Sequence, residues 1–452
     1  MRAARPATVA LACLALALAP LERARAGDIE AAATALVGQC AAGEFAAATI
    51  PFDARMKEAL PADRMAAVWS QILAAAGAYG GIEAVRTETT GAYRTVFVTC
   101  RFEKMPLDAK VVFDAEERIA GLFFAPASPP EPAWVAPDYA QPDRFEEKPV
   151  TLASGSWELP GFLCMPKGAG PFPAAVLVHG SGPHDADETI LASKPFRDLA
   201  WGLASRGIAV LRYVKRTQVM ADKPNVSLAG LTVREETTDD ARAAVHLLCR
   251  TAGIDSARVY VVGHSLGGLL APRIAHGEPR VAGIVVLAGN ARPMEELALE
   301  QLRYIAQLDN TVDEEEKANI AAVERAVRAI QSPALTDTTT VNFLGAMMPG
   351  SYWLDLRGYH PEKLAAELGI PVLVLRGERD YQVGQADFEL WRQALAKQRH
   401  ATCRQYPGLN HLFIAGSGTP GPEEYRKPGH VAATVVADVA GWIASGGRKL
   451  GP

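Results

Sequence analysis

Hydrophobic residues follow a helical period at the start of the chain and a strand-like period after it. Two stretches repeat apolar residues every three or four positions, which predicts amphipathic helices; the positions are Ile29, Ala33, Leu36, Val37 and Cys40, then Met65, Val68, Trp69, Ile72 and Leu73. Strand-like segments follow over residues 93–100, 110–113 and 118–124. This order predicts a small α+β domain over residues 27–128. Because its acids and arginines are scattered, we interpret it as a packing, dimerisation or substrate-gating module.

Prolines crowd the next segment of the chain. They are Pro126, Pro129, Pro130, Pro132, Pro137, Pro142 and Pro149. Because each proline fixes its own φ angle and lacks a backbone N–H, such a segment favours a stiff, extended chain. We therefore interpret residues 129–149 as a linker, which is the clearest domain boundary in the sequence.

From Val150 onward, strand-like and helical patterns alternate. The predicted strands are a hairpin over residues 150–165 and short apolar runs over residues 174–179, 208–213, 259–262, 283–288, 371–375 and 402–406. Helical patterns stand over residues 196–205, 235–249 and 430–444. Near-continuous apolar strands are typical of parallel strands that are buried on both faces. The sequence thus predicts an α/β domain over residues 150–447, with a mostly parallel sheet and helices on both faces.

The alternation breaks between Asn290 and about Gly369. Long helical patterns fill residues 290–369, and Asp313-Glu314-Glu315-Glu316 gives one of them an acidic start that suits the helix dipole. Two interpretations stay open. The insertion is a helical lid, or it is a set of helices that only pack beside the sheet.

The chemistry centres on a tight turn between a strand and a helix. The apolar run Val259 to Val262 leads into Gly263-His264-Ser265-Leu266-Gly267, and a small, apolar helical segment follows, which is the pattern of a nucleophile elbow. The turn strains the serine backbone and lifts the hydroxyl clear of the sheet, while a Cβ at Gly263 or Gly267 would collide with the neighbouring strand or helix. Ser265 is therefore the candidate nucleophile.

The elbow needs an acid and then a histidine, each at the end of a later strand. Asp380 follows the strand over residues 371–375, at the edge where open α/β sheets place their sites. We prefer it to its rivals Glu378 and Asp355, and expect it to hold the tautomer of the histidine. His411 lies in the loop after the last predicted strand. The other histidines stand at positions that do not fit a base placed after the serine and the acid.

Acyl transfer also needs donors for the developing oxyanion, and one donor contributes roughly 3 to 4 kcal/mol. The backbone N–H of Leu266, directly after the candidate nucleophile, is the first predicted donor. The second should come from a loop after an early strand, and His179-Gly180-Ser181-Gly182-Pro183 is such a loop. We choose the backbone N–H of Ser181, since the glycines let this backbone approach a substrate closely.

Composition favours small-molecule chemistry. Charged residues make up 21% of the chain and the formal net charge is -5, with no basic stripe that could bind phosphates. A nucleic-acid partner is therefore not expected, and a homodimer stays open. His184, Asp185, Asp187 and Glu188 resemble metal ligands, but their spacing fits no compact zinc or calcium pattern. We expect them to cap a segment or line the cleft mouth, and we expect no metal and no cofactor.

A targeting signal is predicted over residues 1–26. Arg2 and Arg5 form a basic start, residues 9–19 form an apolar core, and Ala24-Arg25-Ala26 forms a cleavage site. We therefore expect export, to the periplasm or the medium, after cleavage near Ala26. The apolar core is shorter than the span of about 20 residues that a membrane helix needs, and no later segment is long and uncharged enough, so no stable membrane insertion is expected.

Cysteine pairing is a further expectation. If Cys13 leaves with the signal, an odd number of cysteines remains in an oxidising compartment, namely Cys40, Cys100, Cys164, Cys249 and Cys403. Cys40 ends a predicted helix and Cys100 lies in a predicted strand of the same small domain. We hypothesise that these two form a disulfide; the alternative is that both are buried thiols.

Several strings of the chain together carry a family resemblance. They are Val178-His-Gly-Ser-Gly-Pro183, Lys194-Pro-Phe-Arg-Asp-Leu-Ala200, Arg206-Gly-Ile-Ala-Val-Leu-Arg-Tyr213, Gly263-His-Ser-Leu-Gly-Gly268 and Ala271-Pro-Arg-Ile-Ala275. The region from about Val150 to Ala444 resembles exported bacterial α/β-hydrolases related to dienelactone hydrolases and S9/S33-type serine peptidases. The preceding region resembles the domain of unknown function DUF3887. One departure is Val214, where such proteins often have an aspartate.

The resemblance implies the α/β-hydrolase fold and hydrolysis of an ester, a thioester or an amide. We favour a carboxylesterase that acts on a small ester or thioester through a Ser-His-Asp triad and an acyl-enzyme. A serine peptidase or aminopeptidase is the alternative, but we cannot assign residues that would bind a charged terminus. A binding module on an inactive hydrolase scaffold is the alternative from another class. The complete order of serine, acid and histidine argues against it.

Overall fold

The chain divides into two compact units, Met1–Pro130 and Glu131–Pro452. The computed structural model describes residues 26–90, 93–127, 134–221, 226–448 and 450. The predicted targeting signal therefore lies outside the described residues, except for Ala26. In the part of the chain that the structure describes, no helix combines the length and the hydropathy that crossing a bilayer requires.

The first unit consists of helices followed by an antiparallel sheet. Its helices are α1 (Ala26–Ala42), α2 (Phe45–Ala48), α3 (Ala54–Ala59) and α4 (Ala62–Ala76). Its strands pair in sequence order as β1 (Tyr79–Thr90), β2 (Tyr93–Phe102), β3 (Leu107–Phe113) and β4 (Ile119–Pro126). The sequence did not predict β1, because Gly80, Gly81 and several charged residues interrupt its apolar positions. Its pairing with β2 makes it an edge strand of this sheet.

Helices α1 and α4 bury their apolar stripes against one face of this sheet. Ile29, Leu36 and Trp69 pack there with Val98 and Phe113 in one core. The side chains of a strand alternate between the two faces of a sheet, so every second residue of β2 contributes to this core. The predicted α+β arrangement therefore rests on a helical and a strand period that meet in one apolar layer.

The hypothesised disulfide between Cys40 and Cys100 is not formed in this structure. Both residues lie in the core of the first unit as free thiols. The Sγ of Cys100 donates a hydrogen bond to the carbonyl of Val98 at 3.3 Å. Burial raises the pKa of each thiol to about 12. The alternative applies: both cysteines act as small apolar residues, and burial keeps them protonated.

The second unit is built on a large, mostly parallel sheet. Its strands are β5 (Phe145–Ser154), β6 (Trp157–Pro166), β7 (Phe172–Val178), β8 (Ala209–Tyr213), β9 (Ile254–His264), β10 (Val281–Leu287), β13 (Val372–Gly377) and β14 (Ala401–Tyr406). Their order is β14-β13-β10-β9-β7-β8-β6-β5. Only the pairs that involve β5 and β6 are antiparallel among these strands. The predicted fold class is confirmed.

Helices cover both faces of this sheet. They are α5 (Pro195–Ala204), α6 (Arg216–Ala221), α7 (Asp239–Cys249), α8 (Leu266–His276), α13 (Gln385–Ala394) and α14 (Ala433–Ala444). Val176 and Val178 of β7 belong to a core that includes residues of α7 and α8. Ala175 and Leu177 belong to a second core that includes residues of α5 and α14. Strand β7 is thus buried on both sides, which explains its unbroken apolar run.

The sequence interpretation of a linker over residues 129–149 is wrong at its carboxyl-terminal end. Strand β5 begins at Phe145, so its first residues pair with β6, and Pro149 lies opposite Phe162. A proline is tolerated there because β5 is the last strand of the sheet order, and an edge strand has one unpaired side. Before the strand, Trp134 packs edge-to-face on Trp201 at 5.0 Å between ring centroids.

The insertion over residues 290–369 contains helices and a short hairpin. The elements are α9 (Met294–Ala306), α10 (Glu314–Gln331), β11 (Thr340–Phe343), β12 (Ala346–Pro349), α11 (Gly350–Leu356) and α12 (Pro361–Glu367). The acidic start of α10 forms a capping box, in which Asp313 and Glu316 each accept a backbone N–H of the other. This satisfies donors that the first helical turn leaves without partners.

Candidate active site

The turn between β9 and α8 holds Ser265 in a strained conformation. Its φ is 51° and its ψ is -115°, a region that residues with a side chain rarely adopt. Two backbone hydrogen bonds of 2.9 Å fix the turn: the Ser265 N–H donates to the carbonyl of Leu287, and the Leu269 N–H donates to the carbonyl of Ser265. Such strain persists only where the surroundings enforce it, and it is concentrated at functional sites.

The glycines that flank the turn are required by close packing, as predicted. A Cβ on Gly263 would lie 2.1 Å from the carbonyl oxygen of Gly267. A Cβ on Gly267 would lie 2.1 Å from the carbonyl oxygen of Val178, in the neighbouring strand β7. In both cases the clash is with backbone, which cannot move aside as a flexible side chain can.

Asp380 and His411 lie in the loops that follow β13 and β14, and they form a buried pair. The Nδ1 atom of His411 is 2.8 Å from the Oδ2 atom of Asp380. The Oδ1 atom of Asp380 accepts the backbone N–H groups of Gln382 and Val383, each at 2.8 Å. These three contacts fix the carboxylate and direct it at the imidazole.

The rival acids occupy other places. Glu378 directly follows β13 and is exposed. Asp355 lies on α11 in the insertion, where it pairs with Arg273 at 3.1 Å. Among the three acids considered, the structure therefore brings only Asp380 to His411.

Strand order explains why the distant loops meet. Strands β9, β10, β13 and β14 are consecutive neighbours and run parallel, so their carboxyl ends lie along one edge of the sheet. The Nε2 atom of His264 lies 3.1 Å from the carbonyl oxygen of His411. Since His264 directly precedes Ser265, this contact places the histidine loop beside the elbow.

A cavity of about 590 Å³ opens at this edge, and Ser181, Ser265 and Leu266 all line it. The loop after β7 thus reaches the same space as the elbow. Much of the remaining lining is apolar and comes from the insertion: Met294, Leu297, Phe343, Met348 and Trp353. The insertion therefore forms a wall of the cavity and does more than pack beside the sheet.

Sequence reasoning missed a second histidine–carboxylate pair behind the elbow. Glu188 is fully buried, has a positive φ of 50° and lies with its Oε2 atom 3.0 Å from the Nδ1 atom of His264. Burial opposes the charge on Glu188, but the His264 ring outweighs it and lowers the pKa of the carboxyl to about 2. Burial likewise opposes the charge on His264, and Glu188 overcomes it and raises the pKa of the imidazole.

The neighbours of Glu188 that resembled metal ligands bind protein groups. The Nε2 atom of His184 lies 2.8 Å from the carbonyl oxygen of Ser181. Asp185 accepts the hydroxyl of Thr189 at 2.6 Å, and Asp187 pairs with a guanidinium at 2.9 Å, that of Arg212. These side chains cap and cross-link the segment after β7. No spacing rule identifies Glu188 in this sequence, because its contact with the elbow arises only when the segment folds back.

Comparison with known proteins agrees with this architecture. Residues 33–122 match the family described as "Protein of unknown function (DUF3887)". Residues 175–420, more than half of the chain, match the "Alpha/beta hydrolase family". Esterase EstD of Thermotoga maritima is 39% identical over 389 residues, which cover 86% of this chain and 89% of that protein.

Solved structures with a similar arrangement include two esterases. Est1E from Butyrivibrio proteoclasticus has 16% identity and a TM-score of 0.43, covering 66% of this chain and 98% of that chain. An esterase from Pyrobaculum calidifontis has 16% identity and a TM-score of 0.43, covering 66% and 85%. Since both scores are low, the assignment rests on the sequence relationships. On that basis the chain is a hydrolase that belongs to the alpha/beta hydrolase family, preceded by a DUF3887 domain.

Proposed function

We propose that this protein hydrolyses carboxylic esters, with Ser265 as nucleophile, His411 as general base and Asp380 as the residue that orients it. The observation that carries the proposal is the buried contact of 2.8 Å between Asp380 and His411, beside a strained serine turn. An imidazole whose Nδ1 is held by a carboxylate presents Nε2 for proton transfer and is stabilised when it becomes charged. The name of the related esterase EstD points to the same class of reaction.

In the proposed acylation step, Nε2 of His411 takes the proton of the Ser265 hydroxyl as Oγ attacks the ester carbonyl. The electrons of the C=O π bond move to the carbonyl oxygen. The resulting oxyanion accepts hydrogen bonds from the backbone N–H groups of Leu266 and Ser181. The Leu266 N–H suits this role because the first N–H groups of a helix have no partner within it. The intermediate then collapses, and His411 passes its proton to the departing alkoxide.

Deacylation repeats these steps with water. His411 removes a proton from the water molecule that attacks the acyl-enzyme, and the same two N–H groups hold the new oxyanion. Collapse breaks the bond to Ser265 Oγ, which regains a proton from His411. The carboxylic acid is released and the enzyme returns to its first state.

An uncharged, apolar acyl group is the substrate portion that suits the cavity. Among the described residues that line the cavity, only Glu236 is charged. Its Oε1 atom lies 3.0 Å from Nζ of Lys215. A free peptide terminus would therefore meet no unpaired counter-ion among these lining residues. This favours an ester or thioester over the aminopeptidase alternative.

Kinetics of Ser265→Ala test the proposal. Hydrolysis of p-nitrophenyl butyrate should fall to the background rate while the thermal unfolding midpoint stays close to that of the wild type. Ser256→Ala is a matched control, because Ser256 is exposed near the start of the same strand β9; its rate should not change. Turnover that survives in Ser265→Ala would remove the elbow from the mechanism. Parallel assays with acyl thioesters and aminoacyl nitroanilides separate the three bond types.

Export is a second part of the proposal and rests on the sequence pattern of residues 1–26. Expression in a Gram-negative host, followed by fractionation, should place the protein in the periplasm. Amino-terminal sequencing should then begin directly after Ala26. An intact Met1 on active cytosolic protein would contradict export.

A further inference from the structure

Two buried charged side chains, those of Glu188 and Lys215, form hydrogen bonds with Gly180 in the loop after β7. The N–H of Gly180 donates to Oε1 of Glu188 at 2.6 Å, and the carbonyl oxygen of Gly180 accepts from Nζ of Lys215 at 2.7 Å. The carbonyl of Gly180 and the N–H of Ser181 belong to the same planar, trans peptide unit, so they point in opposite directions. Whatever fixes the oxygen therefore also fixes the direction of the Ser181 N–H.

We propose that Lys215 is a positioning residue for the oxyanion hole, and that Glu188 anchors the same loop from its other side. This inference rests on the proposed function, in which the Ser181 N–H is an oxyanion donor. A charge-assisted hydrogen bond to the Gly180 oxygen holds the peptide plane more firmly than a neutral one would. It also draws electron density toward that oxygen, which makes the N–H at the other end of the plane a better donor.

The surroundings of Lys215 direct its ammonium at this peptide. The side chain is 2% exposed, and Nζ lies 3.0 Å from Oε1 of Glu236. Glu236 lies in a π-helical turn, Arg234–Thr238, and its Oε2 atom accepts the hydroxyl of Tyr352 at 2.9 Å. π-helical turns are frequent at functional sites. A buried ion pair adds little net stability compared with apolar residues of similar volume, so this pair is better explained by the carbonyl that it holds.

The second anchor joins the loop to the nucleophile. Glu188 holds the Gly180 N–H with one oxygen and contacts His264 with the other, and His264 precedes Ser265 in the chain. A Cβ on Gly180 would lie 3.3 Å from Cβ of Ser265, so the loop backbone packs directly against the elbow. The carboxylate therefore sets the spacing between the nucleophile and the Ser181 N–H. Preorganisation of this kind is what makes an oxyanion donor effective.

The test compares Lys215→Met with Arg216→Met. Arg216 is the next residue, is also buried, and pairs with Asp240, with Nε 3.0 Å from Oδ2. Each substitution leaves one buried carboxylate unpaired, so both should lower thermal stability. Only Lys215→Met should lower kcat for p-nitrophenyl butyrate, by about tenfold to a hundredfold with little change in KM, because the lost interaction acts in the transition state. Arg216→Met should keep the wild-type kcat.

A trifluoromethyl ketone provides a readout that a purely structural role would not move. Its adduct with Ser265 carries an oxyanion, so its affinity for Lys215→Met should fall by the same factor as kcat/KM. Lys215→Arg should recover part of the loss, because a cation returns beside the carbonyl of Gly180. The double variant Lys215→Met/Glu236→Gln removes the unpaired carboxylate, and it serves if the single variant does not fold.

Wild-type kcat and wild-type ketone affinity in a folded Lys215 variant would overturn the inference. Failure of the proposed function looks different, because Ser265→Ala would then stay active. Mapping of a fluorophosphonate label separates the two: in Lys215→Met the label should still reside on Ser265, attached at a lower rate. A label that moves to another residue would count against the proposed function instead.

Discussion

Two histidine–carboxylate pairs lie side by side at the carboxyl edge of the large sheet. Asp380 holds His411 at 2.8 Å, and Glu188 contacts His264 at 3.0 Å, with both pairs buried. The difference lies in the second ring nitrogen. Nε2 of His264 is occupied by the carbonyl of His411 at 3.1 Å, whereas Nε2 of His411 remains for proton transfer in the proposed mechanism. Only an imidazole with one uncommitted nitrogen can act as a base, so burial beside an acid does not itself identify a catalytic histidine.

The largest expected effect comes from breaking the first pair. His411→Ala removes the proposed base, and Asp380→Asn leaves the imidazole without the carboxylate that is proposed to orient it and favours the wrong tautomer. Each should lower kcat by about 10⁴-fold, measured with p-nitrophenyl butyrate at saturating concentration. Because the residues of a catalytic triad act as a unit, the account predicts that the double variant is no slower than the single ones. Additive losses would show that the two residues act independently.

Breaking the second pair should affect stability more than chemistry. His264→Gln leaves the carboxylate of Glu188 buried without its cation, which costs about 3–5 kcal/mol in the free energy of unfolding. The kcat of the folded fraction should fall by only about tenfold, because Glu188 loses its contact with the elbow whereas the proton-transfer groups remain. Urea unfolding combined with active-site titration measures both quantities. A loss of kcat as large as that of His411→Ala would make His264 the base.

The pH dependence of stability sharpens the comparison. The pKa of Glu188 is lowered from 4.5 to about 2, so its contribution is fully present above pH 4.5 and is lost as the pH falls toward 2. The pKa of His264 is raised above 6.5, so its contribution is fully present below pH 6.5 and is lost as the pH rises through the raised value. The destabilisation caused by Glu188→Gln should therefore be greatest between these limits. Unfolding titrations at about pH 3, 5.5 and 9 test this, and a difference independent of pH would contradict it.

The smallest effect is expected at a third pair, in which the histidine is exposed although the side chain of Glu362 is buried. Nδ1 of His360 lies 3.6 Å from Oε1 of Glu362, and the His360 side chain is 54% exposed. Water reaches the imidazole and screens its charge, so His360→Gln should change the free energy of unfolding by less than about 0.5 kcal/mol. Its kcat should equal that of the wild type. A larger change in either quantity would show that exposure of the imidazole does not set this pair apart from the two buried pairs.

Sequence reasoning reached the first pair but not the second, and the reason is physical. Ser265 is marked by glycines that close packing requires, and Asp380 and His411 by their positions after predicted strands, which parallel pairing brings to one edge. Glu188 and Lys215 have no such marker. Their contacts depend on how the segment after β7 folds back, which neither period nor spacing encodes.

The errors in the fold have equally local causes. Pro149, the last of the seven prolines that suggested a linker, lies in an edge strand, where a missing N–H is harmless. The glycines and charged residues of β1 obscured the apolar pattern of a strand that forms one edge of the sheet in the first unit. Cys40 and Cys100 lie in one core, yet each packs there as a buried thiol and no disulfide joins them. In each case a tertiary neighbour outweighed the local signal.

The most direct test of the central claim is covalent labelling by a fluorophosphonate, followed by peptide mapping. The account predicts one label per molecule, on Ser265, formed rapidly in the wild type and in His360→Gln. His411→Ala should label far more slowly, because no base removes the proton of the hydroxyl. A label on any other residue, or equal labelling rates in the wild type and in His411→Ala, would contradict the account.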